Sequence, residues 1–298
     1  MVKHVTTIRF DAIGTTWQID CHDMPLGVTA SSIKAMVTER ITVFDKVYSR
    51  FRDDSLVAEM ARKAGRYELP PDGKALFDLY ERLYRLTGGK VTPLIGQVLA
   101  DAGYDAKYSL VPKDQLSKTP RWEDILSYDG RTINLARPAL LDVGAAGKGY
   151  LVDIVSKLLV EAGVTKHSLD AGGDILVRGL QDAPLRIGLE HPRDPSQAIG
   201  TIELGEGSIC ASASNRRVWG TYHHIMDPHS SRPVRSVIAT WAVANSAMVA
   251  DGLATALFFT EPGMMLQEFD FEYLLVRQDM SYESSPGLQA EMFIAEAS

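Results

Sequence analysis

The stretch Ser246–Phe259, SAMVADGLATALFF, has the composition of a helix that packs into a protein core. Apolar residues dominate it, yet Asp251 stands in the middle of the run and Thr255 follows four residues later. Residues at positions i and i+4 lie on the same face of a helix. A buried carboxylate is costly unless a partner compensates its charge. The stretch therefore predicts a core helix whose Asp251 has a partner elsewhere in the fold.

Two kinds of partner are compatible with this pair. A carboxylate and a hydroxyl are hard oxygen ligands, which suit Mg²⁺ or Ca²⁺ better than zinc. Mg²⁺ usually takes one or two protein carboxylates and fills its other positions with water and phosphate oxygens. Alternatively, Asp251 caps a neighbouring helix or pairs with an arginine, and Thr255 bonds back to its own helix. The stretch alone leaves both interpretations open.

The rest of the chain mixes helices and strands without a regular alternation. Helices are predicted in ASSIKAMVTERITVFDKVYSRF with Ser31 or Ser32 as N-cap, in DDSLVAEMARKAG up to Gly65, in GKALFDLYERLYRLTGG and in GKGYLVDIVSKLLVEAG. Strands are predicted on both sides of Ala12–Gly14, on both sides of a turn at Asp129–Gly130, and in HSLDAGGDILVRGL, LRIGLEHP, AIGTIELGEGSICASAS and VIATWAVAN. This order favours an α+β fold with mixed or antiparallel sheets flanked by helices. We expect one domain over residues 1–298, with two interleaved lobes as the alternative.

Composition limits the class of protein. The 298 residues carry a net charge of −7 and are 45% hydrophobic, which is typical of a globular protein. A mildly acidic chain argues against a nucleic-acid partner, since such proteins normally present a basic surface. The two cysteines, Cys21 and Cys210, form no CxxC pair, so neither a zinc knuckle nor a disulfide framework is expected.

The sequence also bears on the location of the protein. No apolar run reaches the ~18 residues of a membrane-spanning helix, so the chain is not expected to cross a membrane. The segment MVKHVTTIRFDAIGTTW lacks the apolar region of a signal peptide and a lipobox cysteine. We therefore expect a cytoplasmic protein, with an extracytoplasmic location as the alternative if a signal segment has been removed.

Three further segments combine glycines with chemically active side chains. LDVGAAGKGYLVD (141–153) predicts a glycine-rich turn into a helix whose N-terminus favours anions, or simply a tight turn with Lys148 on the surface. LDAGGDILVRG (169–179) predicts either a ligand-contacting turn or a Gly-Gly hairpin with solvated carboxylates. YHHIMDPHSSRPV (222–234) offers an acid–base pair or metal ligands, or turn chemistry; in an extended segment at most one of His223 and His224 faces a given site.

Taken in order, the segments from about Phe10 to Phe259 resemble the ApbE family, the FAD:protein FMN transferases. The resemblance is carried by AIGTTW (12–17), YSRFRDDSLVAEM (48–60), TGGKVTPLIGQVL (87–99), LDVGAAGKGYLVD (141–153), LDAGGDILVRG (169–179), SICASASNRRVW (208–219), HIMDPHSSRPV (224–234) and SAMVADGLATALF (246–258). It implies the ApbE-like fold, with FAD in a cleft between two lobes.

The resemblance also implies roles for single residues. Asp251, Thr255 and the backbone carbonyl of Ala145 match the family's ligands of a Mg²⁺ ion that binds the FAD pyrophosphate. His224 matches the histidine that assists attack on the pyrophosphate. The positions that match the family's cofactor contacts are Ile13, Phe51, Lys90, Val91, Thr92, Asp142, Lys148 and Asp227.

The chain departs from the family pattern at four places. Ile13 stands where the family has methionine, and Gly147 where it has alanine; both changes are mild. Ala211–Ala213 replaces a TSG segment and removes a hydroxyl. Val91 and Thr92 replace a Phe-Asp pair, so that a carboxylate is missing. This last change bears on FAD binding or on the choice of acceptor.

The implied reaction is the transfer of FMN from FAD to a threonine of a partner flavoprotein, with FAD as substrate and Mg²⁺ as cofactor. Phosphoryl transfer depends mainly on charge neutralisation and positioning, which a metal ion and a base such as His224 would supply. Water in place of the acceptor hydroxyl would make the same site an FAD pyrophosphatase that releases FMN and AMP. A flavin-binding protein with little turnover is the alternative from a different class.

Overall fold

The computed structural model describes residues 5–293. The domain predicted over residues 1–298 includes residues 1–4 and 294–298, which lie outside the described residues. The helices within residues 5–293 are α1 Ala30–Tyr48, α2 Leu56–Arg62, α3 Gly73–Leu86, α4 Gly96–Asp101, α5 Trp122–Ile125, α6 Gly147–Glu161, α7 Ala247–Ala256 and α8 Pro262–Met265, with a 3₁₀ turn at Pro93–Ile95.

The strands over the same range are β1 Thr6–Ala12, β2 Thr15–Cys21, β3 Gly65–Glu68, β4 Leu126–Tyr128, β5 Thr132–Leu135, β6 His167–Ala171, β7 Asp174–Arg178, β8 Leu185–His191, β9 Asp194–Leu204, β10 Gly207–Ala213, β11 Val218–Trp219, β12 Tyr222–His223, β13 Met226–Asp227, β14 Arg232–Pro233, β15 Val237–Ala244, β16 Glu272–Arg277, β17 Tyr282–Ser284 and β18 Ala290–Met292.

An antiparallel eight-stranded sheet with the order β1-β2-β6-β7-β10-β15-β16-β17 organises the fold. Side chains alternate between its two faces. Cys210 and Ala242 belong to a core shared with α1, α3, α6 and α7, whereas Ile209 and Trp241 belong to a second core shared with β8 and β9. The sheet is therefore covered by helices on one face and by the β18-β9-β8 sheet on the other, and the α+β prediction is confirmed.

The two strands predicted on either side of Ala12–Gly14 form the first hairpin. The turn between β1 and β2 consists of Ile13 and Gly14, whose φ angles are 46° and 76°. Two residues with positive φ form the turn whose twist matches that of the flanking strands. Isoleucine rarely adopts this conformation, because its branched side chain crowds the backbone. The turn places Ile13 in the wall of the cavity described below.

Three details of the predicted elements were wrong. The N-cap of α1 is Thr29, not Ser31 or Ser32, because Thr29 Oγ1 accepts a hydrogen bond from Ser32 N–H at 3.1 Å and the Ser32 hydroxyl accepts one from Thr29 N–H at 3.0 Å. Helix α2 ends at Arg62 rather than Gly65, since the chain is already extended at Lys63. The short helix α5 directly precedes β4, in the segment before the Asp129–Gly130 turn where only strand was predicted.

The two cysteines lie in the protein core. Cys21 and Cys210 are both buried and unpaired. Over residues 5–293, the structure contains no helix that combines the length and apolarity needed to cross a bilayer.

We expect the stability of the protein to fall between pH 6.5 and pH 4 because of His167. This side chain is buried, with Nε2 2.8 Å from Ser156 Oγ and Nδ1 3.1 Å from the Val164 carbonyl, and burial lowers its pKa to about 4. The unfolded chain, with a histidine pKa of about 6.5, binds more protons in this window, so protonation favours unfolding by up to about 3 kcal/mol. Urea denaturation at several pH values measures the loss.

The control for this prediction is the His167→Gln variant, which cannot titrate. Its free energy of unfolding should depend less on pH between 6.5 and 4 than that of the wild type. Equal pH dependence in the two proteins would show that other groups cause the effect.

Candidate functional site

A cavity of about 860 Å³ lies where the helices and the large sheet meet, at the upper end of the size range of ligand pockets. Its wall includes the β1–β2 turn, the end of α1, the 90–95 segment, the loop that leads into α6, and one face of α7. The predicted site residues that line it are Ile13, Phe51, Lys90, Val91, Thr92, Asp142, Ala145, Lys148, His224, Asp251 and Thr255. Folding thus brings together side chains from one end of the chain to the other.

Asp227 is the predicted site residue that lies outside this lining. Its Oδ1 accepts hydrogen bonds from the backbone N–H groups of His229, at 2.7 Å, and Ser230, at 3.2 Å. These bonds hold the turn between β13 and β14. The turn interpretation of the DPHSSRP segment therefore accounts for these two hydrogen bonds, and the cofactor contact of Asp227 stays a prediction.

The three predicted metal ligands meet at the junction of α6 and α7. Thr255 Oγ1 lies 3.4 Å from the backbone oxygen of Ala145, which precedes α6. Asp251, one turn before Thr255 on α7, is buried, and its Oδ2 accepts a hydrogen bond from Gly149 N–H at 2.9 Å. A carboxylate, a hydroxyl and a carbonyl therefore lie on the same wall of the cavity; the helical spacing predicted the shared face of Asp251 and Thr255, and the family resemblance implied the Ala145 carbonyl.

The charges around Asp251 fit a bound cation. Lys148 does not lie on the surface: its ammonium pairs with the fully buried Asp174 and donates to the Ala171 carbonyl at 3.0 Å. Burial and the nearby Asp174 raise the pKa of Asp251 well above its usual range, and Lys148 only partly offsets them. The single ammonium of Lys148 therefore offsets the charge of two buried carboxylates, those of Asp174 and Asp251. A divalent cation at Asp251 would compensate the excess negative charge.

The chemistry of these three oxygen donors, from Asp251, Thr255 and Ala145, also bears on the type of ion. No group of three or more His, Cys, Asp or Glu side chains with metal-binding geometry occurs among residues 5–293. An ion held by Asp251, Thr255 and the Ala145 carbonyl would complete its shell with water or ligand oxygens. That pattern suits Mg²⁺ in the presence of a phosphate-bearing ligand.

The LDAGGDILVRG segment forms the predicted Gly-Gly hairpin, but its carboxylates differ. The exposed Asp170 caps the turn, accepting from Gly173 N–H at 2.9 Å. Asp174, at the start of β7, is fully buried as the partner of Lys148. The expectation of two solvated carboxylates was therefore wrong for Asp174, because the large sheet places it behind the helix that carries Lys148.

We expect Gly149→Ala to destabilise the protein by about 3 kcal/mol, the upper end of the usual cost of overpacking. A Cβ at this position would lie 2.7 Å from Asp251 Cβ and closer still to the backbone oxygen of Ala247, so α6 and α7 would have to separate. Thermal or urea denaturation measures the loss. Gly263→Ala is the matched control, since a Cβ there meets no atom within 4 Å. A similar stability for both variants would contradict the close packing of the two helices.

The two adjacent histidines face different environments, as the extended backbone predicted. His223 Nε2 lies 2.8 Å from the Val234 carbonyl and supports the neighbouring loop. His224 lines the cavity, and within the described chain its buried Nδ1 has no hydrogen-bond partner. Burial, with a contribution from Arg217, lowers the pKa of His224 to about 3. The side chain is therefore neutral near pH 7 and can accept a proton.

Thr92 has a local structural role at the place where the family carboxylate is missing. It is buried, and its Oγ1 accepts a hydrogen bond from Leu94 N–H at 3.2 Å, which caps the 3₁₀ turn. The Thr92 hydroxyl therefore caps this turn, a role that an aspartate side chain could also fill.

Sequence reasoning missed an aromatic wall and its arginine. Phe51 stacks on Tyr108 with ring centroids 5.2 Å apart, and Tyr104 meets Phe51 edge-on at 5.3 Å. Arg50 packs against both Phe51 and Tyr104. Tyr104 and Tyr108 belong to a loop without regular secondary structure, so no periodicity could reveal that they reach Phe51.

Four buried polar atoms of cavity-lining residues have no hydrogen-bond partner among residues 5–293: Tyr48 Oη, Arg50 Nη2, Asn215 Oδ1 and His224 Nδ1. Buried polar groups in native proteins are nearly always paired, so an unpaired set in one cavity indicates a missing polar ligand. Together with the aromatic wall and the hard-ion donors, these atoms define a site for a phosphate-bearing ligand that contains an aromatic ring.

The comparisons with known proteins agree with this class of site. The model of the ApbE family matches residues 13–272, so this chain belongs to the ApbE family. It is 27% identical over 274 residues to the FAD:protein FMN transferase of Vibrio cholerae serotype O1, covering 86% of this chain and 82% of the relative. It is 26% identical over 306 residues to the FAD:protein FMN transferase of Treponema pallidum, covering 90% and 84%.

Solved structures show the same fold. The flavin transferase ApbE from Vibrio cholerae superposes with a TM-score of 0.79 and 23% identity, covering 95% of this chain and 96% of that one. The ApbE protein from Thermotoga maritima superposes with a TM-score of 0.83 and 22% identity, covering 95% and 97%. The predicted ApbE-like fold is confirmed.

Proposed function

We propose that this protein is a Mg²⁺-dependent FAD:protein FMN transferase, which moves FMN from FAD to a threonine hydroxyl of a partner flavoprotein and releases AMP. The observation that carries the proposal is the convergence of Ala145, Asp251, Thr255 and His224 on one cavity. The names of the curated relatives support the same reaction. The charge and donor chemistry of the α6–α7 junction support Mg²⁺ as the ion.

Asp251, Thr255 and the Ala145 carbonyl would hold the metal beside the pyrophosphate. The bound ion would supply neutralisation of the negative charge that develops on the departing AMP. The N–H of Gly149, in the first turn of α6, donates to Asp251 Oδ2 and so holds this carboxylate at the helix N-terminus, where negative charge is favoured. These residues position the pyrophosphate and disperse its charge.

His224 would act as the base for the acceptor. The threonine Oγ forms a bond to the FMN phosphorus, its proton passes to His224, and the bond from that phosphorus to the AMP oxygen breaks. Burial lowers the pKa of His224, and the negative charge of bound FAD would raise it. A base with a pKa near the working pH is the most effective.

The test is to incubate the protein with FAD, Mg²⁺ and candidate acceptors that carry a D-x-S/T-x-A-T-like site, and to analyse the acceptors by mass spectrometry. The proposal requires a mass gain of one FMN on threonine, together with AMP detected by chromatography. Release of FMN and AMP without a modified acceptor would instead support an FAD pyrophosphatase. Tight retention of FAD with no AMP would support a flavin-binding protein.

A further inference from the structure

Arg50, at the end of α1, lies in the cavity wall with only 6% of its surface exposed. Its Nε donates to Asp142 Oδ2, and its Nη1 donates to the Tyr104 carbonyl at 2.6 Å. Its Cζ lies 4.2 Å from the centre of the Phe51 ring and 4.7 Å from that of Tyr104. Across residues 5–293, no acceptor pairs with its buried Nη2.

This arrangement fixes the guanidinium group and leaves one nitrogen for a ligand. A guanidinium is planar, so bonds at Nε and Nη1 determine where Nη2 lies. A buried charged donor without an acceptor is unfavourable, and native proteins rarely keep one. An acceptor atom on a molecule that enters the cavity would remove this cost.

The neighbours of Arg50 indicate which part of a ligand meets it. Phe51, Tyr104 and Tyr108 line the same cavity as the guanidinium, and an aromatic wall suits a planar ring. The positive charge of Arg50 is already balanced by Asp142, so the pair has little left to attract a phosphate. A ring nitrogen or ring carbonyl is therefore the better match for Nη2.

We propose that Nη2 of Arg50 donates a hydrogen bond to an acceptor on the edge of one of the two ring systems of FAD, and that Asp142 positions Arg50 for this contact. The proposal rests on the function proposed above, since it takes FAD as the ligand. Asp142 acts mainly through Arg50, because its Oδ2 accepts from Arg50 and its Oδ1 accepts from Gly144 N–H at 2.7 Å.

The experiment compares the affinities of FAD, riboflavin and ADP for the wild type, Arg50→Lys and Arg50→Met by calorimetry in excess Mg²⁺. Loss of one charge-assisted hydrogen bond should weaken FAD binding by about 10- to 100-fold in both variants. Riboflavin or ADP, but not both, should show the same loss, and the one affected identifies the ring system. Arg50→Lys keeps a positive charge beside Asp142, so it should retain more of the ligand-free melting temperature than Arg50→Met.

Arg82→Met is the matched control. Arg82 also packs on an aromatic ring, with its Cζ 4.0 Å from the centre of Phe269, and donates to a backbone carbonyl, that of Glu268, at 2.8 Å. It lies on α3, outside the cavity lining, so its replacement should leave all three affinities unchanged. Asp142→Asn should weaken FAD binding, and combining it with Arg50→Met should add little to the effect of Arg50→Met alone.

Four results would overturn the proposal or separate it from the proposed function. Unchanged FAD affinity in a folded Arg50→Met protein would overturn it, and so would equal losses for riboflavin and ADP, which would indicate a general loosening of the cavity. Wild-type protein that binds FAD but forms no AMP would overturn the proposed function and leave the Arg50 contact standing. Wild-type protein that binds none of the three ligands would overturn both.

Discussion

Replacing Asp251 by alanine is expected to lower the Mg²⁺-dependent release of AMP from FAD by on the order of a thousandfold. Asp251 is the only side-chain carboxylate in the donor set that meets at the α6–α7 junction of the described chain. Without it, the hydroxyl of Thr255 and the carbonyl of Ala145 would hold a divalent cation weakly. FAD affinity should then fall and cease to depend on Mg²⁺, which a titration with and without the ion measures.

Stability measurements separate a role in metal binding from a role in folding. The Asp251 carboxylate is buried near a second carboxylate, so Asp251→Asn should keep or raise the melting temperature of the metal-free protein while activity is lost. Full flavinylation of an acceptor by Asp251→Ala in Mg²⁺ buffer would contradict the metal assignment.

A matched pair of threonine variants tests the second side-chain donor. Thr255→Val should raise the Mg²⁺ concentration needed for half-maximal activity. Thr240 is a buried threonine that, like Thr255, donates to a backbone carbonyl, that of Ala254 at 2.6 Å, but it does not line the cavity. Thr240→Val should lower stability by about 1 kcal/mol and leave the Mg²⁺ dependence unchanged.

The second large effect is expected at His224. His224→Ala should lower the rate of FMN transfer by about 100- to 10,000-fold, the range for loss of a general base. FAD affinity and its Mg²⁺ dependence should change much less, because the groups at the α6–α7 junction remain. Single-turnover kinetics with saturating FAD measure the chemical step directly.

The neighbouring histidine provides the control. His223→Phe removes the hydrogen bond to the Val234 carbonyl and should lower the melting temperature, while most of the transfer rate remains. Equal rates for His224→Ala and the wild type would show that another group, or solvent, takes the proton from the acceptor.

Much of this site could be predicted from sequence because single helices and turns fix short spacings. Asp251 and Thr255 share one face of α7 at a spacing of one helical turn, and His223 and His224 point to opposite sides of an extended segment. These spacings within one helix or strand do not depend on where that element packs in the fold. The antiparallel sheets were likewise predictable from the strand patterns and glycine turns.

The remaining features depend on tertiary contacts that no local pattern encodes. Lys148 and Asp174 lie in separate motifs and meet only because α6 packs over β7. Arg50 gains its partners from a loop at Tyr104 and from Asp142, which are far apart along the chain. The strands β11 to β14 have two residues each, too few for any periodicity to be detected.

The cavity wall is assembled from distant parts of the chain, and this affects how the protein folds. The wall is built from segments that span residues 13 to 259, and β2 must pair with β6, Trp17 opposite Ala171, before these segments can meet. Contacts between such distant parts of a chain form slowly, since long loops must close first. No early folding intermediate can therefore present a complete pocket. In refolding experiments, flavin capture should follow the recovery of helical signal, so that bound FAD reports the final stage of assembly.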